Sequence, residues 1–185
     1  MRSYILIPYY SSTGCCEKLA MYIARGVELE GMEARIRRIP AIGRDDPVGA
    51  LLVSKEDIIG CSGMIIGSPT RFGHMSAAVQ SFWDKTGDVW YGGQLIGKPG
   101  AVFTSSSSMH GGQESTLLGM MMPLIHHGMI VVGIPYSEQA VCSTQKGGGP
   151  YGASSLESGP LSEDELAICH ALGRRVAQIA KKLSD

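Results

Sequence analysis

Five short apolar runs recur along the chain: Tyr4 to Ile7, Ala34 to Ile39, Gly63 to Ile66, Ala101 to Phe103 and Met129 to Val132. Stretches with helical periodicity separate them, and this alternation constrains the fold more than any other feature. Several of the runs are apolar throughout, without the polar alternation of a half-exposed strand. Strands of that kind are covered on both faces, as in a parallel sheet flanked by helices. The first helical pattern starts near Glu17 and carries Leu19, Ala20, Ile23, Ala24 and Val27 before Gly31 stops it. Others span Ser76 to Lys85 and Gln113 to His126, where Pro123 predicts a kink or break. The last runs from Ser162 to Leu183, with Glu165 completing a capping box. The alternation predicts a doubly wound α/β sheet in a single domain over residues 1–185, with right-handed crossovers gathering the loops at the strands' carboxyl ends.

Composition excludes several classes of function. At 185 residues, 44% hydrophobic and 18% charged, the chain can bury roughly 70% of its unfolded surface without a staple. Sixteen basic against 17 acidic residues give a net charge of -1, which offers no electrostatic footprint for nucleic acid. The cysteines, Cys15, Cys16, Cys61, Cys142 and Cys169, are odd in number and contain no C-x-x-C pair. They predict reduced thiols in the cytoplasm and no metal site. Arg2 precedes too short an apolar run for an export signal, and Leu117 to Pro135 is too interrupted to span a membrane. Tyr136 to Pro160 turns to Gly, Ser and Pro and predicts a long functional loop, a lid or an interface.

Three strand-to-helix connections hold residues suited to chemistry. Ser11-Ser12-Thr13-Gly14-Cys15-Cys16 places hydroxyls and a glycine at a helix start, where free amides and the helix dipole can hold a phosphate dianion. A simple Ser/Thr helix cap would explain the same residues. There is no Walker lysine and no G-x-G-x-x-G, which excludes the P-loop and the usual dinucleotide signature. The second connection is Gly67-Ser68-Pro69-Thr70-Arg71-Phe72-Gly73-His74, and the third is Ser105-Ser106-Ser107-Ser108-Met109-His110-Gly111-Gly112. Either alone could be only a turn. Together, after strands one, three and four of a 2-1-3-4-5 sheet, they predict a slot for a phosphorylated planar ligand, for which FMN is the economical choice.

At this point the sequence resembles the WrbA-type NAD(P)H:quinone oxidoreductases of the flavodoxin-like fold. The likeness is carried by Tyr9-Tyr10-Ser11, Pro69-Thr70-Arg71-Phe72-Gly73, Gly111-Gly112-Gln113-Glu114, His126-His127-Gly128-Met129 and Pro150-Tyr151-Gly152-Ala153. It implies FMN phosphate held by Ser11, Ser12, Thr13, Gly14, Cys15 and Cys16, and the ring bordered by Pro69, Thr70, Arg71, Phe72 and Gly73. The loop Ser105, Ser106, Ser107, Ser108, Met109, His110, Gly111 and Gly112 completes the ring site. His127 would stand beside flavin and quinone, Trp90 would wall the substrate in a neighbouring subunit's site, and Thr13 would touch the nicotinamide cofactor. Read without the resemblance, Trp90 could be core packing and His126 or His127 a helix cap.

The implied activity is FMN-dependent, ping-pong, two-electron transfer from NADH or NADPH to a quinone in a cytoplasmic homotetramer. Arg71 and His127 would be its catalytic side chains, through negative-charge stabilisation and hydrogen bonding to the quinone. Rival readings are a one-electron carrier, a flavin or azo reductase of the same fold, and a scaffold that has lost flavin. Three departures stand out: Cys15 and Cys16 replace the Asn or His and the Thr or Ile common in such a phosphate loop, Pro40 to Asp57 is short, and Met109 and His110 lengthen the third loop. The two thiols, at a helix start, are expected to be acidified and oxidation-sensitive.

Overall fold

The computed structural model describes residues 3–157 and 159–184. Arg2, and Ser158 within the loop expected at 136–160, lie outside the described residues. Six strands build one parallel sheet: β1 Tyr4–Tyr9, β2 Glu33–Arg38, β3 Gly63–Pro69, β4 Pro99–Ser106, β5 Ile130–Val131 and β6 Ala153–Leu156. Their order is β2-β1-β3-β4-β5, and β6 also pairs with β4. The fifth position is therefore shared. β5 pairs with Pro99 and Gly100 at the start of β4, and β6 with Phe103 to Ser106 at its end. Between them the chain leaves the sheet, makes the short helix α6 Gln139–Ser143, and returns.

The apolar runs become strands because both faces of the sheet are covered. Ile5, Ile7, Ile65, Ala101 and Phe103 meet α1 (Cys15–Leu29) and α7 (Glu163–Ser184) on one face. Leu6, Met64, Ile66 and Val102 meet α3 (Ala77–Asp84) and α5 (Gln113–His126) on the other. The two helices of the first face approach closely because each has a glycine at the crossing. A Cβ on Gly173 would lie 2.1 Å from the Ile23 carbonyl oxygen, and one on Gly26 would lie 2.3 Å from that of His170.

To the predicted helices the structure adds α2 (Lys55–Gly60), α4 (Gly87–Tyr91) and α6, the last within the stretch expected to be a loop. A reciprocal capping box caps α2, with the Ser54 side chain accepting from the Asp57 amide and Asp57 from the Ser54 amide. The expected Ser162–Glu165 box is formed in the same way before α7. No break occurs at Pro123: α5 continues to His126, and the His127 amide donates to the Pro123 carbonyl at 3.0 Å. Gly128, at φ 73, follows as a left-handed stop.

Candidate active site

Since β1, β3 and β4 are neighbours, the connections 10–14, 70–76 and 107–112 emerge side by side at one edge of the sheet. The first is folded by Ser11. Its buried hydroxyl accepts from the Gly14 amide at 3.0 Å, and Gly14, at φ 88, turns the chain into α1. The helical ladder begins with Lys18 N–H to the Gly14 carbonyl, so the amides of residues 15–17 precede it and face outward from the helix end. A Cβ on Gly14 would meet nothing within 4 Å, which leaves open space over this turn.

Cys15 and Cys16 supply amides here while their side chains point into the protein. The Cys15 thiol lies 3.0 Å from the Ser155 hydroxyl, and the Cys16 thiol lies 3.4 Å from that of Ser105. They pin the start of α1 to β6 and β4. Burial pushes the Cys16 thiol up to about 12, which corrects the expectation of an acidified thiol there: desolvation of the thiolate outweighs the Ser105 hydrogen bond and the Arg71 charge that favour it. Ser12 is half-buried and Thr13 exposed.

Arg71, Phe72, Gly73 and His74 form a two-residue hairpin turn. The Arg71 amide donates to the His74 carbonyl at 2.8 Å, and the His74 amide donates back at 3.0 Å. Phe72 (φ 51) and Gly73 (φ 81) are both left-handed, as such a turn requires. Phe72 is the one described non-glycine residue with positive φ, and its ring is fully exposed. A strained aromatic thrust into solvent at a loop tip is a functional signal, since nothing in its own fold rewards it. Arg71 reaches back across the slot, donating from Nη2 to the Ser12 hydroxyl at 2.8 Å.

Beneath the turn, Thr70 hydroxyl lies 3.3 Å from that of Thr104 and accepts from Thr116 at 3.1 Å, while its amide donates to Ser105 carbonyl. Pro69 and Ser105 are buried at the ends of their strands. In the third loop Ser106 donates to the Ser108 carbonyl and accepts from Gln113 Nε2, while Ser107, Ser108, Met109 and His110 are exposed. Gly112, at φ 93, packs against Gly73: a Cβ there would lie 2.8 Å from the Gly73 Cα. Gly111 is folded over Ser108, to whose carbonyl its amide donates.

His127 and Trp90 are not brought to this slot within the chain. α5 starts at the slot and ends at His126 after 14 residues, about 20 Å along its axis, beside the start of β4. There His127 is buried against Trp83, with ring centroids 5.0 Å apart. Its Nδ1 donates to the Pro123 carbonyl at 2.8 Å, and its Nε2 is 2.9 Å from the Thr86 hydroxyl. Both nitrogens are engaged, so His127 has no free donor for a ligand in its own chain's slot. Within the chain His127 is the C-cap of α5. Trp90 is half-exposed at the same remote edge, its indole N–H donating to the His126 carbonyl.

The sequence reading missed the residues behind the first loop. Arg38, at the end of β2, donates from Nη2 to the Ser11 carbonyl at 2.8 Å and from Nε to Asp46 at 2.8 Å. Arg44 donates to the Tyr10 hydroxyl at 2.8 Å and to the same Ser11 carbonyl at 3.3 Å. The only available signal was the Arg37-Arg38 pair closing an otherwise strand-like run before Ile39 and Pro40. Among the described residues no group of three or more His, Cys, Asp or Glu could hold a metal, and no helix is long and apolar enough to cross a membrane.

The family described as NADPH-dependent FMN reductase matches residues 1–139. A protein of Rhizobium rhizogenes named NAD(P)H dehydrogenase (quinone) is 40% identical over 194 residues, covering 97% of this chain and 98% of the relative. One of the same name from Chromohalobacter salexigens is 40% identical, covering 98% and 99%. Among solved structures, a flavodoxin, WrbA-like protein from Agrobacterium tumefaciens superposes with TM-score 0.74 at 21% identity, covering 97% of this chain and 98% of that one. A flavodoxin from the domain Archaea gives 0.69 at 18%, covering 96% and 99%. These likenesses, with the strand order, make the fold flavodoxin-like.

Proposed function

Because this chain belongs to the NADPH-dependent FMN reductase family, we propose that it is an NAD(P)H-dependent quinone reductase that works with FMN in the slot between its three carboxyl-edge loops. The observation that carries this reading is the first loop, where outward amides, the hydroxyls of Ser12 and Thr13 and open space over Gly14 meet beside the Arg71 guanidinium. That donor set suits a dianion, and the glycines and small hydroxyl residues of the other two loops suit a flat ring, so the residues present fit FMN. Residues 11–16 would hold its phosphate, and residues 69–73 and 105–112 its ring. When bound, FMN supplies acceptance and release of two electrons.

The chain's own residues position the reactants. Arg71 places a positive charge between the phosphate loop and the ring site, where it stabilises negative charge on the cofactor or the nicotinamide donor. Thr13, exposed at the loop tip, borders the nicotinamide donor. The slot is open, so one face serves both substrates in turn: the oxidised nicotinamide leaves before the quinone enters. The reading extends to a cytoplasmic homotetramer, supported by free thiols and by the exposed apolar edge of Trp90, Tyr91, Ile96, Met122 and Ile125. In that assembly the Trp90 edge, held by the indole's bond to the His126 carbonyl, covers a neighbouring subunit's slot and walls the quinone. Initial rates over a grid of NADH and benzoquinone concentrations test the order of events. Parallel double-reciprocal lines are expected, and lines that converge would contradict alternate use of one slot. Trp90→Ala is expected to raise the quinone KM with little change in that for NADH; an unchanged quinone KM removes the wall.

A further inference from the structure

The first loop is gripped from both sides. From the β3 side Arg71 holds the Ser12 hydroxyl. From the β2 side two guanidiniums, Arg38 and Arg44, converge on one backbone oxygen, that of Ser11. In the strand order β1 stands between β2 and β3, and the slot opens on the β3 and β4 side. The Ser11 carbonyl is thus held away from the slot. A trans peptide sets its C=O and N–H antiparallel, so fixing that oxygen toward β2 directs the Ser12 N–H toward the slot. Were the peptide to turn over, a carbonyl lone pair would replace a donor beside the bound anion.

The clamp is itself assembled. Arg38 is 6% exposed and would be a costly unpaired charge at the end of β2. Asp46 pairs with it at 2.8 Å and also accepts the Ala41 amide, which folds residues 41–46 into a compact loop. That fold delivers Arg44 over the Tyr10 ring, 5.5 Å from guanidinium carbon to centroid. Arg38 also lies beside the Tyr9 and Tyr10 rings, at 6.0 and 5.9 Å. We propose that Arg38, secured by Asp46, and Arg44 are positioning residues that set the anion affinity of the first loop by fixing the Ser11–Ser12 peptide with its carbonyl turned from the phosphate. The proposal rests on residues 11–16 being the FMN phosphate loop, and it makes residues 38–46, which hold that loop from the β2 side, part of the cofactor site.

The experiment compares FMN with riboflavin, which has the same ring and no phosphate, by fluorescence quenching on the apoprotein of wild type, Arg38→Met, Arg38→Lys and Arg44→Ala. Wild type is expected to bind FMN far more tightly than riboflavin. Arg38→Met should lower FMN affinity roughly 10- to 100-fold, the scale of hydrogen bonds to a charged donor, and leave riboflavin affinity unchanged. Arg38→Lys keeps the charge without the fork that spans Asp46 and Ser11 and should recover only part of the loss. Arg44→Ala removes an exposed side chain, folds whatever happens to the Arg38 variants, and should lower FMN affinity about 3- to 10-fold by the same reasoning. Equal losses for FMN and riboflavin, or an unchanged FMN-to-riboflavin ratio in Arg44→Ala and the folded Arg38 variants, would overturn the clamp. A wild-type protein that does not prefer FMN would instead overturn the phosphate-loop reading beneath it.

Discussion

Two glycines in the slot have similar backbone conformations and different surroundings, and substituting each by alanine separates the effects of strain and space. Gly14 (φ 88) and Gly112 (φ 93) both lie in the left-handed region, where a Cβ costs about 1–2 kcal/mol. At Gly14 nothing lies within 4 Å of the new methyl, so strain is the whole cost. At Gly112 the methyl would lie 2.8 Å from the Gly73 Cα and 3.1 Å from the Ser115 hydroxyl. The Gly73 backbone is pinned in its hairpin and cannot yield like a side-chain tip, so forced repacking adds about 1–3 kcal/mol. Gly112→Ala should therefore cost about 2–5 kcal/mol against about 1–2 for Gly14→Ala. At roughly 2–4 °C per kcal/mol for a chain of this length, the extra cost of about 1–3 kcal/mol should make the Gly112 variant melt about 2–12 °C below the Gly14 variant. Calorimetry on the apoproteins measures the difference. The wedge also separates the 70–74 turn from the 107–112 loop, so Gly112→Ala should weaken riboflavin as well as FMN. Equal melting temperatures would refute the claim that the two loops touch through their glycines.

Gly173→Ala should be among the most destabilising single changes, by about 3 kcal/mol or more, because its Cβ would enter the Ile23 carbonyl at the crossing of α1 and α7; a melting temperature near wild type would contradict that close approach. His127→Ala should cost about 2–4 kcal/mol by leaving a cavity beside Trp83 and removing the ring's hydrogen bonds to the Pro123 carbonyl and the Thr86 hydroxyl, and it should slow quinone turnover only as far as it loosens the Trp90 edge; a stable variant with abolished turnover would point to a direct catalytic role. Iodoacetamide on the native protein at pH 8 should label Cys142, the one exposed cysteine, and spare Cys16 and Cys61, whose burial raises them to about 12 and about 11; rapid native labelling of Cys16 would contradict its placement against Ser105. For Asp46, burial alone would raise the carboxyl, but hydrogen bonds from Arg38 and the Ala41 amide and the charges of Arg38 and Arg44 hold it below the usual range. A depressed carboxylate stabilises the fold above its unfolded value of about 3.9 and loses that contribution as pH falls through the folded value. Wild type should therefore outmelt Asp46→Asn at pH 7 and lose that advantage below about pH 4; a gap independent of pH would remove the ion pair.

The strands that the sequence revealed were those whose side chains alone demand burial, such as Tyr4 to Ile7 and Gly63 to Ile66. β6 was hidden because Ala153-Ser154-Ser155-Leu156 has neither β-branched bulk nor alternation. It is a strand because β4 offers Phe103 to Ser106 as a ladder and because Gln113 and Gly148 both use the Ser154 hydroxyl. The long loop expected from 136 to 160 is thus partly sheet. α2 was missed although Ser54-x-x-Asp57 announces it, since six residues are too few to show a period. In the site, loop positions followed from topology, which fixes where β1, β3 and β4 end. Side-chain direction did not, and it decided the corrections. Cys15 and Cys16 follow Gly14 in the first connection, and their side chains point into the protein. His127, within its own chain, caps a 14-residue helix that carries it to the edge opposite the slot, a placement its motif does not encode. Arg38 and Arg44 act on the loop from positions 27 and 33 residues away, a separation no local pattern encodes.

Whether the slot holds FMN between NAD(P)H and a quinone is tested most directly by a visible spectrum. The purified protein is mixed with FMN, desalted, treated with NADH or NADPH without oxygen, and then given benzoquinone. Retained yellow absorbance, bleached by the nicotinamide and restored by the quinone, is the result the structure leads us to expect. Flavin lost on desalting would contradict the phosphate loop, and retained flavin that neither nicotinamide bleaches would contradict the reductase.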